Sequence, residues 1–180
     1  GAGRVFDGSG WAWTLDWSDS LGTGLGGPVE PGDANPDIVG VSNFRDLDAT
    51  FGAPEQFHSG QRHFTVEDID GTAILRMETV NATHLRDLRL DFAWFASPHH
   101  DAGDSLTVFA NGTPVLVRGN ATNAMNNGGQ FEIATVNLAL LDGASEVDIA
   151  FLFTNNASDE RYFIDTLDLS ATVVPVPAAG

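Results

Sequence analysis

The sequence contains no cysteine among its 180 residues. This absence excludes disulfide bonds, metal sites built from thiolates and a cysteine nucleophile. It leaves the redox compartment open, because many proteins of oxidising compartments also fold without disulfides. The stability of this chain must therefore come from packing, hydrogen bonds and bound ligands.

Positive charge is scarce, and all of it comes from arginine. The chain has 8 basic residues against 25 acidic residues, so its formal net charge is −17 at pH 7. Such a surface repels phosphate backbones and anionic lipid headgroups. We therefore expect neither nucleic acid nor a membrane surface as a partner, whereas Ca²⁺ and neutral glycans are compatible with the charge.

Long hydrophobic runs and catalytic motifs are also missing. No run of about 18 apolar residues predicts membrane insertion, and the start at Gly1 is what we expect of a processed or trimmed chain. The sequence has no G-x-S-x-G elbow, no H-E-x-x-H pair and no P-loop. Glu67, Asp68 and Asp70 could supply a glycosidase pair, but chance carboxylate pairs are common in so acidic a chain. The sequence favours binding or assembly over catalysis.

Alternation with a period of two takes the place of helical periodicity. Residues 11–18 and 88–97 alternate apolar with polar or small side chains, as half-buried strands do. Asn111-Gly112 separates two further strand-like runs and predicts a type I′ hairpin. Other strand-like runs lie at 38–41, 63–66, 72–80, 130–136, 147–153 and 161–171. We predict an all-β fold, a two-sheet antiparallel jelly-roll β-sandwich, as a single domain over residues 1–171 with a Pro-rich tail at 172–180.

Three tryptophans share one parity of the first alternating run, namely Trp11, Trp13 and Trp17. They are either core-facing aromatics of the sandwich or an exposed face. An exposed face of this kind would stack on sugar rings or contact another subunit.

Two segments resemble jelly-roll modules of the carbohydrate-binding and adhesion type. They are Gly103–Gly112, which resembles the hairpin form "D-L-x-V-x-x-N-G" common in that class, and Arg161–Leu169, which resembles the closing strand "Y-F-I-D-x-L-x-L". The opening Val5–Gly8 and Trp11 are similar to the first strand of such modules. The resemblance implies the fold and a role in binding or adhesion.

The last residues, Val174–Ala179, resemble the start of the PEP-CTERM sorting signal of exported bacterial proteins, although Val176 stands where glutamate is commoner. This resemblance implies export to the cell surface or biofilm matrix. The alternative is a Pro-rich tail without such a role.

Two sets of oxygen-bearing side chains are candidate calcium ligands. Asp33, Asn35 and Asp37 have the D-x-N-x-D spacing of half a Ca²⁺ loop, and they also fit a loop rich in Asx turns. The jelly-roll resemblance implies a second site, in which Asp7 of the first strand and Asp165 of the closing strand share a structural Ca²⁺. Asp165 lies between apolar residues, where a carboxylate requires a cation or hydrogen bonds.

A third cluster, His99, His100 and Asp101, ends the strand predicted at 88–97. Adjacent residues of an extended chain point in opposite directions, so both histidines rarely bind one ion. We expect this cluster to be a solvated loop.

The function that the sequence favours is that of a secreted structural protein of the cell surface or extracellular matrix. Such a protein would assemble with copies of itself by β-strand complementation, with calcium as a stabiliser. Exposed sheet edges are templates for further strands, and Val173, Val174 and Val176 are the candidate contacts. The alternative is a carbohydrate-binding module that binds extracellular polysaccharide.

Overall fold

A computed structural model describes residues 2–6, 12–18, 38–42, 58–60, 63–67, 69, 71–119, 130–157 and 160–175. For residues 2–6, 12–18, 38, 41 and 42 the description covers the backbone alone. Eleven strands and one short 3₁₀ turn, Ala139–Leu141, form these parts of the chain. The strands are β1 (Ala2–Phe6), β2 (Ala12–Ser18), β3 (Ile38–Ser42), β4 (His63–Glu67), β5 (Gly71–Met77), β6 (Leu85–Ala96), β7 (Ser105–Ala110), β8 (Thr113–Gly119), β9 (Glu132–Asn137), β10 (Ile149–Asn155) and β11 (Arg161–Val173).

The strands form two antiparallel sheets. Sheet A has six strands in the order β1-β2-β5-β10-β7-β8, and sheet B has five in the order β3-β4-β11-β6-β9. From β4 to β11 the chain crosses between the sheets at every step except the β7–β8 hairpin, which stays in sheet A. This is the order of an eight-stranded jelly roll, in which the last two strands lie at the sheet centres. The predicted two-sheet jelly-roll β-sandwich is thus confirmed. Three more strands extend it on one side, β1 and β2 beyond β5 and β3 beyond β4.

The core lies between the sheets and follows the alternation of the sequence. Along β7, Leu106, Val108 and Ala110 are buried while the residues between them are partly exposed. Phe92 of sheet B packs edge to face against Phe151 of sheet A, with ring centroids 5.0 Å apart. Burying one such large apolar side chain stabilises the fold by about 1.5–3 kcal/mol.

The centre of sheet B is buried on its outer face as well. Residues 92–96 of β6 and 161–165 of β11 are buried without alternation. Phe95 and Phe163 form a second apolar cluster there, covered in part by Phe131. This face also buries an ion pair between Arg161 and Glu67.

Asn111-Gly112 forms the predicted two-residue hairpin between β7 and β8. Both residues have positive φ, 47° and 73°, as a type I′ turn requires. Asn111 also fixes the turn to the start of β10, since its Oδ1 accepts from the Asp148 N–H at 2.7 Å and its Nδ2 donates to the Glu146 carbonyl at 3.0 Å. The hairpin thus aligns β7 and β10, which carry the two loops considered next.

Candidate functional site

Two loops meet at one end of the sandwich: residues 97–104 between β6 and β7, and the described residues 156, 157 and 160 between β10 and β11. They are neighbours because the strands that carry them pair: Ser105 lies opposite Thr154, and Ala96 opposite Tyr162. The topology therefore brings together residues that lie about 60 positions apart in the sequence.

Three side chains with metal-binding atoms converge where these loops meet: His100, Asp104 and Glu160. One potential ligand atom from each lies within 4.8 Å of the others. Asp104 is fully buried, Glu160 is 2% exposed, and the side chain of His100 is 1% exposed. We call these three residues the HDE cluster.

The imidazole of His100 is fixed on two sides. It stacks on the ring of Tyr162 with centroids 4.2 Å apart. Its Nε2 lies 3.0 Å from the carbonyl oxygen of Arg161, and its Nδ1 lies 3.2 Å from Asp104 Oδ2. A carbonyl oxygen can only accept a hydrogen bond, so this contact places a proton on Nε2.

Backbone donors orient the two carboxylates. Asp104 Oδ2 accepts from the Asp101 N–H at 2.6 Å, and Glu160 Oε2 accepts from the N–H groups of Asn156 and Ala157, both at 2.8 Å. Asp104 Oδ1 is buried and receives no hydrogen bond from an N–H or hydroxyl group of the described residues. A proton on Glu160 or a bound cation would compensate this oxygen.

The electrostatics of the HDE cluster follow from its burial. Desolvation raises the pKa of the Asp104 carboxyl, although the Asp101 backbone and Glu160 counteract it. Desolvation also raises the pKa of Glu160 to about 7, where Asp104 adds to the effect and the Asn156 backbone opposes it. Burial, followed by the charges of Asp104 and Glu160, raises the pKa of the Tyr162 hydroxyl. Two carboxylates this close both stay ionised only when a cation lies beside them. Without a cation, one of them takes up a proton.

The expectation of a solvated loop at residues 99–101 is wrong for one of its three residues. His99 and Asp101 are exposed, but the side chain of His100 is buried against Tyr162. The two adjacent histidines therefore differ in burial, and only His100 joins the cluster. Asp104 and Glu160 were missed as partners, although each stands immediately before a strand, which is the signal that places both at one end of the sandwich.

Asp165 is buried, and hydrogen bonds compensate its charge. Its carboxylate accepts from the Ser59 N–H at 2.9 Å, from the Ser59 hydroxyl at 2.8 Å and from the Thr166 N–H at 2.7 Å. Asp165 stands at a register shift of β11, and the next residue, Thr166, has a φ of 52°. Its predicted partner in calcium binding, Asp7, lies outside the described residues.

Other predicted site residues lie outside the described part of the chain, namely Asp33, Asn35, Asp37, Trp11 and Val176. Trp13 and Trp17 belong to β2, where the register sets them opposite Met77 and Ala73 of β5. Met77 and Ala73 are buried core residues. The side chains of these two tryptophans lie outside the described part of the chain, so both interpretations of them stay predictions.

A second polar cluster lies on the outer face of sheet B. The rings of His58 and Phe131 pack edge to face with centroids 5.9 Å apart, and His58 Nδ1 is 2.9 Å from the Thr166 hydroxyl oxygen. His58, Ser59 and Thr166 are exposed, and Phe131 is half-buried. This patch therefore offers an aromatic ring beside several hydroxyl and imidazole groups.

No protein family and no curated protein matches the sequence. Among solved structures, the chain is similar to the secreted serine protease VesC from Vibrio cholerae, with a TM-score of 0.44 and 13% identity over 60% of this chain. That match spans only 21% of the length of the protease.

Two smaller proteins match over most of their length. TmCBM61, solved in complex with β-1,4-galactotriose, has a TM-score of 0.49 and 12% identity over 73% of this chain and 81% of that one. The K1 cleaved adhesin domain of Lys-gingipain from Porphyromonas gingivalis W83 has a TM-score of 0.47 and 12% identity over 95% of this chain and 90% of that one. Because their TM-scores are below 0.5, these similarities do not indicate what this chain binds.

In the described part of the chain, no helix has the length and hydropathy needed to cross a bilayer.

Proposed function

We propose that this chain is a non-enzymatic module of the cell surface or extracellular matrix, and that it assembles by bringing sheet edges of neighbouring copies together. The contact would lie on one side of the sandwich, formed by β1 and β3, which we call the β1–β3 side. Calcium stabilisation, as the acidic composition favours, is part of this proposal.

The two sheets end on the same side in β1 and β3. Contacts between the sheets show this arrangement. The ring centroids of Phe64 in β4 and Phe153 in β10 are 5.7 Å apart, and Cζ of Arg118 in β8 lies 5.8 Å from the ring centroid of Trp94 in β6. Hence β8 and β9 share one side of the sandwich, and β1 and β3 share the other.

The observation that carries the proposal is the difference between these two sides. Natural sheet edges are protected by proline, charge or bulges against pairing with other chains. On the far side, β8 contains Pro114 and Arg118 and pairs with a register shift, and β9 begins with Glu132. On the β1–β3 side, β3 has neither proline nor charge, and the one charged residue of β1 is Arg4. Among the described strands, none pairs with the outer edge of β1 or β3.

Charge supports the same side. A net charge of −17 opposes association of two copies, most strongly at low ionic strength. The ten residues of β1 and β3 include no acid. A contact between these strands therefore places no carboxylate of one strand against a carboxylate of the other. The remaining repulsion comes from acidic residues elsewhere on the two copies, and salt or divalent cations screen it.

The C-terminal segment is a less favourable donor than its sequence predicts. Thr172 and Val173 pair with Arg86 and Leu85 of the same chain, and the Val174 N–H donates to the His84 carbonyl at 2.7 Å. Donation of this segment to a neighbour would break these bonds. The side chains of Val173 and Val174, 70% and 38% exposed, can still contribute to an apolar contact.

The proposal predicts that a charge reversal weakens association on one side of the sandwich only. Arg4→Glu places a carboxylate on the β1–β3 side and should weaken self-association at least roughly tenfold, because like charges across an interface are costly. Arg118→Glu changes the net charge equally but lies on the far side, so it should associate as the parent does. Sedimentation velocity at matched ionic strength measures both. Equal weakening by the two variants would assign the effect to net charge and contradict the edge contact.

A second candidate function, the binding of extracellular polysaccharide, is supported by the patch around Phe131. Sugar sites combine an apolar surface with a few converging polar groups, and the Phe131 ring lies beside His58, with Ser59 and Thr166 nearby. If this patch binds glycans, Phe131→Ala should abolish retardation in affinity gels that contain a neutral polysaccharide. Leu140→Ala, at a fully exposed position, is the matched control. Unchanged retardation of the Phe131 variant would count against the patch.

A further inference from the structure

We propose that the HDE cluster binds one divalent transition-metal ion, best matched by Zn²⁺, and that this ion ties the loop at 97–104 to Glu160, the residue immediately before β11. The site is distinct from the edge contact and from the predicted calcium sites. It neither depends on them nor supports them.

The tautomer of His100 is the first argument. The Arg161 carbonyl accepts from Nε2, so Nδ1 is the ring atom turned toward the carboxylates, 3.2 Å from Asp104 Oδ2. This contact forms if Nδ1 carries a proton, and the same position lets Nδ1 share a cation with the carboxylate. Histidines that ligate metals commonly donate their other ring N–H to a carbonyl in this way, which fixes the ring and frees the ligating nitrogen.

The carboxylates supply the second, independent argument. Backbone N–H groups occupy one oxygen of each, Asp104 Oδ2 and Glu160 Oε2, and thereby orient both groups. Asp104 Oδ1 is left buried without a hydrogen bond from a described donor. A buried carboxylate oxygen in this condition is costly, and a cation would offset the cost.

The donor set indicates the kind of cation. One imidazole nitrogen and two carboxylates match Zn²⁺, which binds nitrogen and oxygen at about 2.0–2.2 Å, whereas Ca²⁺ takes about 6–8 oxygen ligands. Three ligand atoms within 4.8 Å of one another can close on an ion of that size with a small adjustment of side chains. The two negative charges of the carboxylates would be balanced by the two positive charges of the ion.

The test uses the full chain, freed of metal with a chelator and dialysed. We expect calorimetric titration with ZnCl₂ to show one tight site, and Zn²⁺ in excess to raise Tm by about 5 °C, because the ion binds only the folded state. Asp104→Asn preserves the shape of the side chain and an acceptor for the Asp101 N–H. It should weaken Zn²⁺ binding at least about 100-fold, since even the loss of a group that only orients a ligand costs about 10–100-fold.

Two matched variants control for adventitious binding. Asp101→Asn removes an exposed carboxylate of the same loop, and His99→Ala removes the exposed neighbouring histidine. Both should bind Zn²⁺ as the parent does. Glu160→Gln provides a second ligand variant in case Asp104→Asn does not fold, as judged by far-UV circular dichroism.

Several results would overturn the proposal. These are the absence of stoichiometric Zn²⁺ binding to the parent, equal binding by the Asp104 and Asp101 variants, and a requirement for His99. Stabilisation by Ca²⁺ but not by Zn²⁺, lost in Asp104→Asn, would assign the cluster to a different cation and overturn it equally.

Discussion

At the scale of the residue, polar groups buried outside the apolar core connect segments that lie far apart in the sequence. Asp165 shows the principle most simply, because its carboxylate receives hydrogen bonds from Ser59 and from the Thr166 backbone. A buried carboxylate costs little when hydrogen bonds replace its hydration. Asp165 therefore joins the closing strand to Ser59, in the segment that precedes β4.

Asp165→Ala should lower the free energy of unfolding by about 1–3 kcal/mol, because it leaves the Ser59 and Thr166 donors without their acceptor. Asp168→Ala, at an exposed position of the same strand, should stay within about 0.5 kcal/mol of the parent. Urea unfolding in Ca²⁺ and in EDTA measures both. If the loss of unfolding free energy caused by Asp165→Ala disappears in EDTA, the carboxylate stabilises the fold by binding a cation and not through these hydrogen bonds.

The HDE cluster shows why residues of a site are hard to find from sequence. Each of its three residues is ordinary on its own: one histidine of an adjacent pair and two acids in a chain with 25 acids. Only the pairing of β6 with β11 and of β7 with β10 brings Glu160 against His100 and Asp104. Spacing rules find ligands that are close in sequence, whereas this cluster depends on the topology of the sandwich.

At the scale of the element, the period-two alternation and the turn residues predicted most strands and the Asn111-Gly112 hairpin. The pattern does not predict the doubly buried centre of sheet B. There the outward positions of β4 and β11 include Glu67 and Arg161, which as charged residues predict exposure but are buried as an ion pair. Charges that neutralise each other are compatible with burial, and their pairing follows from register, which the sequence pattern leaves open.

The first alternating run offers a test at this scale. If the register opposite Met77 sets Trp13 in the core, Trp13→Ala should destabilise the fold by about 3–5 kcal/mol. Thr14→Ala, opposite the exposed Arg76, should have little effect. Chemical denaturation followed by circular dichroism compares them. A Trp13 variant that is as stable as the parent would favour an exposed aromatic face for sugar or subunit contact.

At the scale of the whole molecule, the two sides of the sandwich differ in how they are protected, and the surface carries a large negative charge. The far side has proline, charge and a register shift, while the β1–β3 side has edges of low charge. A contact between such an edge and a different surface of the next copy would not pair a patch with itself. It would extend into a filament unless its rotation closed a ring.

The most direct test of assembly is the mass of the intact chain by sedimentation velocity over rising concentration, with and without Ca²⁺. The proposed edge contact predicts species that grow with concentration at moderate ionic strength, and more so with Ca²⁺, because screening removes the repulsion between acidic surfaces. A single species of 19.1 kDa at every concentration, with Ca²⁺ present, would contradict self-assembly.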